Sequence, residues 1–241
     1  MKIEAHIIAW NESDIIAMVI RHYQNFCSHI TIWDNYSDDK TQLIAESMGC
    51  DVKKFGIKGQ LDDQSYLDVK NNCWKGSDAD YVIVCDTDEI LLWNHPCDWI
   101  DGQVKTGATN QKITIWKTYG WNIYSYTMPK FDLLEITTGY HFKNYSKSIM
   151  FSPNDIKEIN YQPGCHECRP VGTIFYSSDM IPLLHYKQIG GVDRLIARNR
   201  LLAKRLSYRN RKMGWGSHYL DSERQIRKEW DERIAKSKPL L

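Results

Sequence analysis

The chain predicts an α/β fold: a doubly wound, mostly parallel sheet with helices on both faces and a C-terminal helical extension. Three observations carry that expectation. Residues 1–90 alternate strand and helix patterns. Tyr81 to Glu89 reads Tyr-Val-Ile-Val-Cys-Asp-Thr-Asp-Glu, an apolar run that stops abruptly in three carboxylates. Polar clusters also follow the first and second strand patterns, at Trp10-Asn11-Glu12 and at Asp34 to Asp39.

Taken in order, Ile3 to Trp10 reads as a strand and Ser13 to Cys27 as a helix. Ile15, Val19 and Tyr23 lie on one helical face, with Ile16 and Ile20 beside them. His29 to Trp33 is a second strand, rich in β-branched residues. Lys40 to Met48 is a second helix with Gly49 as its stop. Asp51 to Phe55 is a third strand, and Gln64 to Trp74 a third helix. That helix feeds Tyr81 to Cys85, whose unbroken apolar run implies burial on both faces. Such a series builds a parallel sheet with right-handed crossovers.

The second half is less regular. Gln111 to Thr118 alternates as a strand, and residues 119–146 read as an aromatic-rich loop or lid. Lys147 to Phe151, Ile156 to Tyr161, Thr173 to Tyr176 and Pro182 to Tyr186 read as strands. Helices are expected over Val192 to Met213 and Ser222 to Lys236, the second opened by a Ser222-x-x-Gln225 capping box. Residues 1–205 read as one domain and 206–241 as its helical extension.

Composition narrows the partners. With 31 basic and 30 acidic residues the net charge is +1, which argues against nucleic acid. No apolar stretch approaches the ~18 residues that span a bilayer. The start, Met-Lys-Ile-Glu-Ala-His, lacks a signal-peptide apolar region, and the seven scattered cysteines suit reduced thiols, so a cytoplasmic protein is expected. The nine Trp and fourteen Tyr serve core packing first, with sugar binding a second use.

Asp86, Asp88 and Glu89 stand where the fourth strand leaves the core. Carboxylates packed so tightly repel one another unless a cation shares them. Ligands of open α/β sheets bind outside the carboxyl ends of the strands, where these acids lie. No Gly-x-Gly-x-x-Gly follows the first strand and no Gly-Lys-Ser/Thr occurs, which excludes dinucleotide and P-loop sites. Asp34 is placed to receive a base or ribose donor, and Trp10 to stack on a ring. Asn11 and Ser13 serve equally as helix N-caps or ligand contacts, and Asp34 to Asp39 alone reads as a turn.

Together these segments resemble the GT-A glycosyltransferases, in their family-2-like branch. That branch carries Asn-Glu after strand one, Asp-Asn-x-Ser-Asp-Asp after strand two and Asp-x-Asp-Glu after strand four. Here these are Asn11-Glu12, Asp34-Asn35-Tyr36-Ser37-Asp38-Asp39 and Asp86-Thr87-Asp88-Glu89. Weaker likeness continues at Trp116-x-x-Tyr119-Gly120, with Tyr for the family's Phe, at Lys147-Ser148-Ile149, Gly164-Cys165-His166 and His185-Tyr186. The resemblance covers residues 3 to about 205.

The resemblance implies a GT-A-like fold and a metal-dependent enzyme using Mn²⁺ or Mg²⁺. Such an enzyme moves a sugar from a nucleotide-diphosphate sugar to a hydroxyl of a glycan, a glycoconjugate or a lipid-linked acceptor, with inversion expected. It implies Asp88 as a metal ligand, Asp86 at the ribose and the metal, and Trp10, Asn11, Glu12, Asp34 and Asn35 around the nucleotide. His185 is the expected C-terminal metal ligand, with His166 next. Cys165 and Cys168 beside His166 lack the fourth ligand of a zinc site. Lys187 and Arg194 are placed to neutralise a diphosphate. Inversion needs a carboxylate base: Glu135 comes first, then Asp132, with Glu167 behind. The acidic dyad that marks the base in many relatives is not evident, which leaves the stereochemistry open.

Two other readings stay open. A nucleotidyltransferase also uses acidic pairs, but usually needs a Gly-rich basic loop near strand one. A non-catalytic glycan-binding protein on a degenerate GT-A scaffold is opposed by the intact Asp86/Asp88 pair. The segment Asp193 to Met213 holds eight basic residues and no acid after Asp193. It reads as a solvated face, or as a surface for an anionic acceptor or peripheral membrane contact.

Overall fold

Four parallel strands build the centre of the molecule in a computed structural model that describes residues 1–92 and 112–240. They are β1 (Ile3–Ala9), β2 (His29–Asp34), β3 (Asp51–Lys54) and β4 (Tyr81–Asp86), joined through α1 (Ile16–Gln24), α2 (Thr41–Ser47) and α3 (Asp63–Asn72). Their spatial order is β3-β2-β1-β4. The chain winds outward from β1 through β2 and β3, then returns to the other side of β1 at β4. The carboxyl ends of β1 and β4 therefore flank a topological switch point, where such sheets open a crevice.

Side-chain alternation explains the layers. Ile3, Ala5, Ile7 and Ala9 of β1 pack with Ile16, Val19, Ile20 and Tyr23 of α1 and Ala45 of α2. Ile8 points the other way, onto Phe55 and Val69 of α3. In β4, Ile83 and Cys85 join the first group, while Val82 and Val84 meet Leu67 and Trp74 on the opposite face. Helices thus cover both faces, as the continuous apolar run of β4 requires. Each such fully buried aliphatic contributes roughly 1.5–3 kcal/mol.

The rest of the sheet is mixed. After β5 (Glu89–Leu91) come β6 (Ile115–Tyr124), β7 (Thr138–His141), β8 (Met150–Phe151), β9 (Ile156–Glu158), β10 (Val171–Gly172), β11 (Tyr176–Gln188) and β12 (Lys238–Pro239). β8 bridges β4 to β6 antiparallel, and β11 runs parallel to β6 and antiparallel to β5. β7 and β12 extend the sheet beyond β6, while β9 and β10 form a separate ribbon.

Several expectations need correction here. Residues 119–146 are not one loop: β6 runs on to Tyr124 and pairs with β7 at Trp121 to Ile123. The aromatic residues misled because Trp121 and Tyr124 are buried strand residues rather than lid residues. Gln111, the start of the expected strand, and Cys97 lie outside the described residues; the six described cysteines are all free thiols. Of Thr173 to Tyr176 only Tyr176 is strand, and Ile156 to Tyr161 shortens to β9.

The expected helix from Val192 to Met213 is two helices, α4 (Gly191–Arg205) and α5 (Tyr208–Met213). The backbone between them is taken by another segment. Leu61 N–H donates to Arg205 O at 2.7 Å, and Ser207 N–H donates to Leu61 O at 2.9 Å. Ser207 then caps α5 by accepting from Asn210 N–H. The last helix, α6 (Glu223–Ile234), has only half of its expected capping box: Ser222 Oγ accepts from Gln225 N–H, but the Gln225 amide turns to Glu229. No helix among the described residues is long and apolar enough to cross a membrane.

One buried ionisable group lies away from the crevice. His6 of β1 is 7% exposed, receives the Trp33 indole N–H on Nδ1 at 3.4 Å and has no partner for Nε2. Burial lowers its pKa to about 4; Glu4 opposes this, while Lys53 and His29 reinforce it. The unfolded chain therefore takes up a proton near pH 6.5 that the folded chain refuses until about pH 4. Stability should fall across that window, by on the order of 3 kcal/mol from this residue. Urea unfolding between pH 7 and 4.5 should show the loss, and His6→Leu should flatten the slope.

Candidate functional site

The switch point is organised by the turn after β4. Thr87 binds the end of β1 twice, its N–H donating to Ile8 O at 3.0 Å and its Oγ1 donating to the same atom at 2.7 Å. This pin presents Asp86 and Asp88 on either side. Glu89 opens β5, where the Tyr23 hydroxyl donates to its carbonyl and its own Oε2 accepts from Asp86 N–H at 2.9 Å. Antiparallel pairing of β5 with β11 sets Glu89 opposite His185.

Two lysines hold this acidic turn together. Lys70, from α3, reaches Asp86 at 2.6 Å. Lys147 reaches Glu89 at 2.5 Å and Asp86 at 3.4 Å, its backbone fixed by two hydrogen bonds with Thr118 Oγ1. Both lysine side chains are nearly inaccessible. Burial would raise the Asp86 carboxyl, but the two ammonium groups hold it well below the usual carboxylate range. Glu89 is likewise lowered against its burial, chiefly by Lys147. Sequence reasoning missed both lysines as site residues: Lys70 is an ordinary position in a helical pattern, and Lys147 entered only as part of a weak motif.

Asp88 differs. Its side chain has no hydrogen bond or ion pair among the described residues, and it lines a cleft of about 400 Å³. Burial, Glu89 and Asp86 push its carboxyl upward, with His185 and Lys187 pulling it down. The cleft also presents Trp10, Glu12, Asp63, Tyr66, Arg198 and Tyr219. Its volume falls in the range of small-ligand sites.

The structure sorts the expected residues. Trp10, Glu12, Asp86, Asp88, His166, His185 and Lys187 all line the cleft. Trp10 carries the Arg205 guanidinium over its ring at 3.6 Å. Glu12 is ion-paired to Arg198, and burial still pushes its carboxyl up to about 7. His166 is near Tyr145, and burial with the Lys147 charge lowers its pKa to about 4.

Asn11, Asp34 and Asn35 lie at the carboxyl ends of β1 and β2 and on the turns that follow, outside the residues that line the cleft. Asn11 Nδ2 donates to Asp38, its Oδ1 accepts from Asp38 N–H at 3.0 Å, and it adopts a positive φ of 51°. It ties one turn to the next rather than capping α1, and Ser13 likewise gives its N–H to Asp39. Asp34 is fully buried, accepting from Ser37 and paired with Lys54. Asn35 donates to Phe55 O and accepts from Arg205.

His185 lines the cleft beside Glu89: its Nε2 donates to Tyr145 O at 2.8 Å, and burial lowers its pKa, so Nδ1, 3.5 Å from Glu89, keeps its lone pair. Tyr145 can stand so close because Gly120 has no Cβ; an added one would collide with the Tyr145 backbone. The two expected bases are not in the cleft. Asp132 and Glu135 form a complete capping box around a short 3-10 turn, Leu133–Glu135. Glu135 is fully exposed and accepts from the N–H groups of Lys130, Phe131 and Asp132, which lower its pKa.

The basic segment turns inward in part: Arg194 and Arg198 are half-buried and Arg205 buried, while Arg200, Lys204, Arg209, Arg211 and Lys212 stay exposed. Besides Arg198 and Arg205, Arg194 pairs with Asp14, Arg200 with Glu223 and Arg209 with Asp62. Arg211 donates to the carbonyls of Leu206 and Ala203. Arginine spacing on one helix face served contacts to the β1 and β2 turns, which periodicity alone does not reveal.

Among the described residues, no three His, Cys, Asp or Glu side chains are grouped to enclose a cation by themselves. Cys165, His166 and Cys168 are not grouped as such a donor set. Mg²⁺-like ions bind through one or two carboxylates and take the rest of their shell from phosphates and water. Asp88, with Asp86 beside it, fits that donor chemistry.

No family model and no curated protein matches the chain. Among solved structures it is similar to glucosyl-3-phosphoglycerate synthase from Mycobacterium tuberculosis in complex with Mn²⁺, uridine diphosphate and glucosyl-3-phosphoglycerate. That match has 20% identity, covers 49% of this chain and 44% of the other, and has a TM-score of 0.35. The same synthase with Mn²⁺, UDP-glucose and phosphoglyceric acid matches at 20% identity over 49% and 44%, with a TM-score of 0.35. A mycobacterial protein matches at 21% over 50% and 41%, with a TM-score of 0.36. The chain spans less than half the length of these proteins, and likeness of this degree carries no argument about activity.

The lysine network sets a direct expectation. Lys147→Met should destabilise the protein by about 3–5 kcal/mol, because it strands buried carboxylate charge. The double variant Lys147→Met/Glu89→Gln should recover part of that loss. Denaturant unfolding of the wild type, both single variants and the double variant measures the coupling.

Proposed function

We propose that the cleft binds a nucleotide-diphosphate sugar with a divalent cation and transfers the sugar to a hydroxyl of a glycan or glycoconjugate. One observation carries this reading: Asp88 is the acid at the switch point that the fold leaves without a partner. The charged residues lining the cleft are Glu12, Asp63, Asp86, Asp88 and Glu89 against Lys70, Lys147, Lys187 and Arg198. Three ion pairs take up Asp86, Glu89 and Glu12, leaving Asp63, Asp88 and Lys187; Asp63 accepts from Asn210, so Asp88 is the acid of this set with neither ion pair nor side-chain hydrogen bond among the described residues. A divalent cation there turns the balance positive, which suits a diphosphate.

The motif order adds support. The Asn11-Glu12, Asp34 to Asp39 and Asp86 to Glu89 segments follow β1, β2 and β4, the positions that the GT-A resemblance implies. Lewis-acid stabilisation of the departing diphosphate is the chemistry that Mn²⁺ or Mg²⁺ supplies when bound. The chain contributes the rest. Lys70 and Lys147 keep Asp86 and Glu89 ionised without net repulsion of phosphate. Lys187 offers a cation from the far wall. The Tyr145–His185 contact holds the wall behind Glu89 in place.

Thermal melting with UDP, GDP, CDP and dTDP, each with and without Mn²⁺, tests this reading. One nucleotide should stabilise only when metal is present. At a hundredfold excess over Kd the gain is about 2.7 kcal/mol, or roughly 5–11 °C for a chain of this size. Asp88→Asn should abolish that shift and sugar transfer while leaving the unliganded melting point within a few degrees. Metal-independent stabilisation, or an unchanged shift in Asp88→Asn, overturns the metal role.

A further inference from the structure

Three segments meet at the break between α4 and α5. Leu61 pairs with Leu206 across it, which docks the tight turn at residues 57–60 against the end of α4. Gln60 N–H closes that turn on Ile57 O at 3.0 Å. Arg211 folds back, donating to Ala203 O at 2.9 Å and Leu206 O at 3.3 Å, and so holds α5 against the last turn of α4.

The side chains that this junction leaves outside are of two kinds. Ile57, Leu201, Tyr208 and Met213 are large and apolar or aromatic, yet 55%, 49%, 81% and 56% exposed. Lys58, Lys204, Arg211 and Lys212 are exposed cations with no carboxylate partner among the described residues. Helical spacing sets Leu201 beside Lys204 on α4, and Tyr208 beside Arg211 and Lys212 on α5.

Residues 57–60 and 200–213 contain no acid. The acids that approach them are already engaged. Asp62 is buried and accepts from Ser207, Asp63 accepts from Asn210, and Glu223 pairs with Arg200. The whole chain carries a net charge of only +1, so the positive excess here is local.

Cations interleaved with exposed apolar side chains call for a partner that answers both. A nucleic acid backbone would answer the cations and leave Ile57, Leu201 and Met213 in water. The interface of an anionic bilayer does both: its headgroups attract the lysines and arginine, and its acyl boundary receives the apolar tips. Long cationic side chains suit such a place, because their stems lie along apolar surface while their charged heads stay outside it.

We infer that the junction of residues 57–60, α4 and α5 is a docking surface for an anionic lipid bilayer. The inference stands apart from the transferase reading, because none of these eight side chains lines the cleft.

Co-sedimentation of the full chain with vesicles tests it, using phosphatidylcholine alone and an equal mixture with phosphatidylglycerol. The chain should pellet with the mixed vesicles, much less with phosphatidylcholine, and should be released as salt rises. Lys204→Gln, Lys212→Gln, Leu201→Ser and Tyr208→Ser should each weaken the binding about fivefold. A purely electrostatic contact would respond to the two lysine variants alone. All four positions are exposed, and the nucleotide-plus-Mn²⁺ melting shift should be the same in these variants as in the wild type. No pelleting with the mixed vesicles, or pelleting unchanged in all four variants, overturns the docking surface. Loss in the lysine variants alone, with equal binding to duplex DNA, overturns it in favour of a polyanion site. Vesicle binding without any nucleotide response keeps the docking surface and sinks the transferase reading.

Discussion

The pairing of Lys70 and Lys147 with Asp86 and Glu89 is the interaction on which the site depends. The loop after β4 brings three acids within four residues, at the end of a strand buried on both faces. Without compensation their repulsion and desolvation would open the turn. Lys70 arrives from α3 and Lys147 from the approach to β8, so the network joins two helical and sheet layers that share no local sequence. It also sets the boundary between structural and free charge: two acids are spent on the fold, and Asp88 is not.

The same logic governs the opposite rim. Arg198 and Arg205, both on α4, reach back across the chain to Glu12, Trp10 and Asn35. They clamp the β1 and β2 turns and close one side of the cleft. Part of the basic character of α4 and α5 is thus answered from within the protein. Where α4 meets Leu61, its helix gives up its backbone to another segment, and the break at Ser207 turns α5 away. That break lets residues 215–219 contribute to the cleft wall.

A smaller cavity adjoins the cleft, lined among others by Gln188, Asn199, Asp221, Trp230 and the Glu229–Arg233 ion pair. Lys187 stands between them, over the Tyr219 ring and near His218. Burial and the Lys187 charge hold the His218 imidazole neutral down to about pH 4, so the threshold carries one cation rather than two.

The sequence by itself determined the parallel core, because strand and helix periodicity there is local and the buried strand ends in unmistakable acids. It located Asp86, Asp88, Glu12, His185 and Lys187 at the cleft through their places after strands. It misplaced Asp132 and Glu135, whose spacing is as good for a local capping box as for catalysis. It did not show that Asn11, Asp34 and Asn35 bind neighbouring turns, since such a turn uses the same residue types as one that binds a nucleotide. Only the tertiary structure decided which acids are neutralised, that Lys70 and Lys147 do it, and that α6 walls a second cavity beside the cleft. Those outcomes depend on contacts between residues tens of positions apart, and periodicity registers the face a residue occupies but not the partner it meets there.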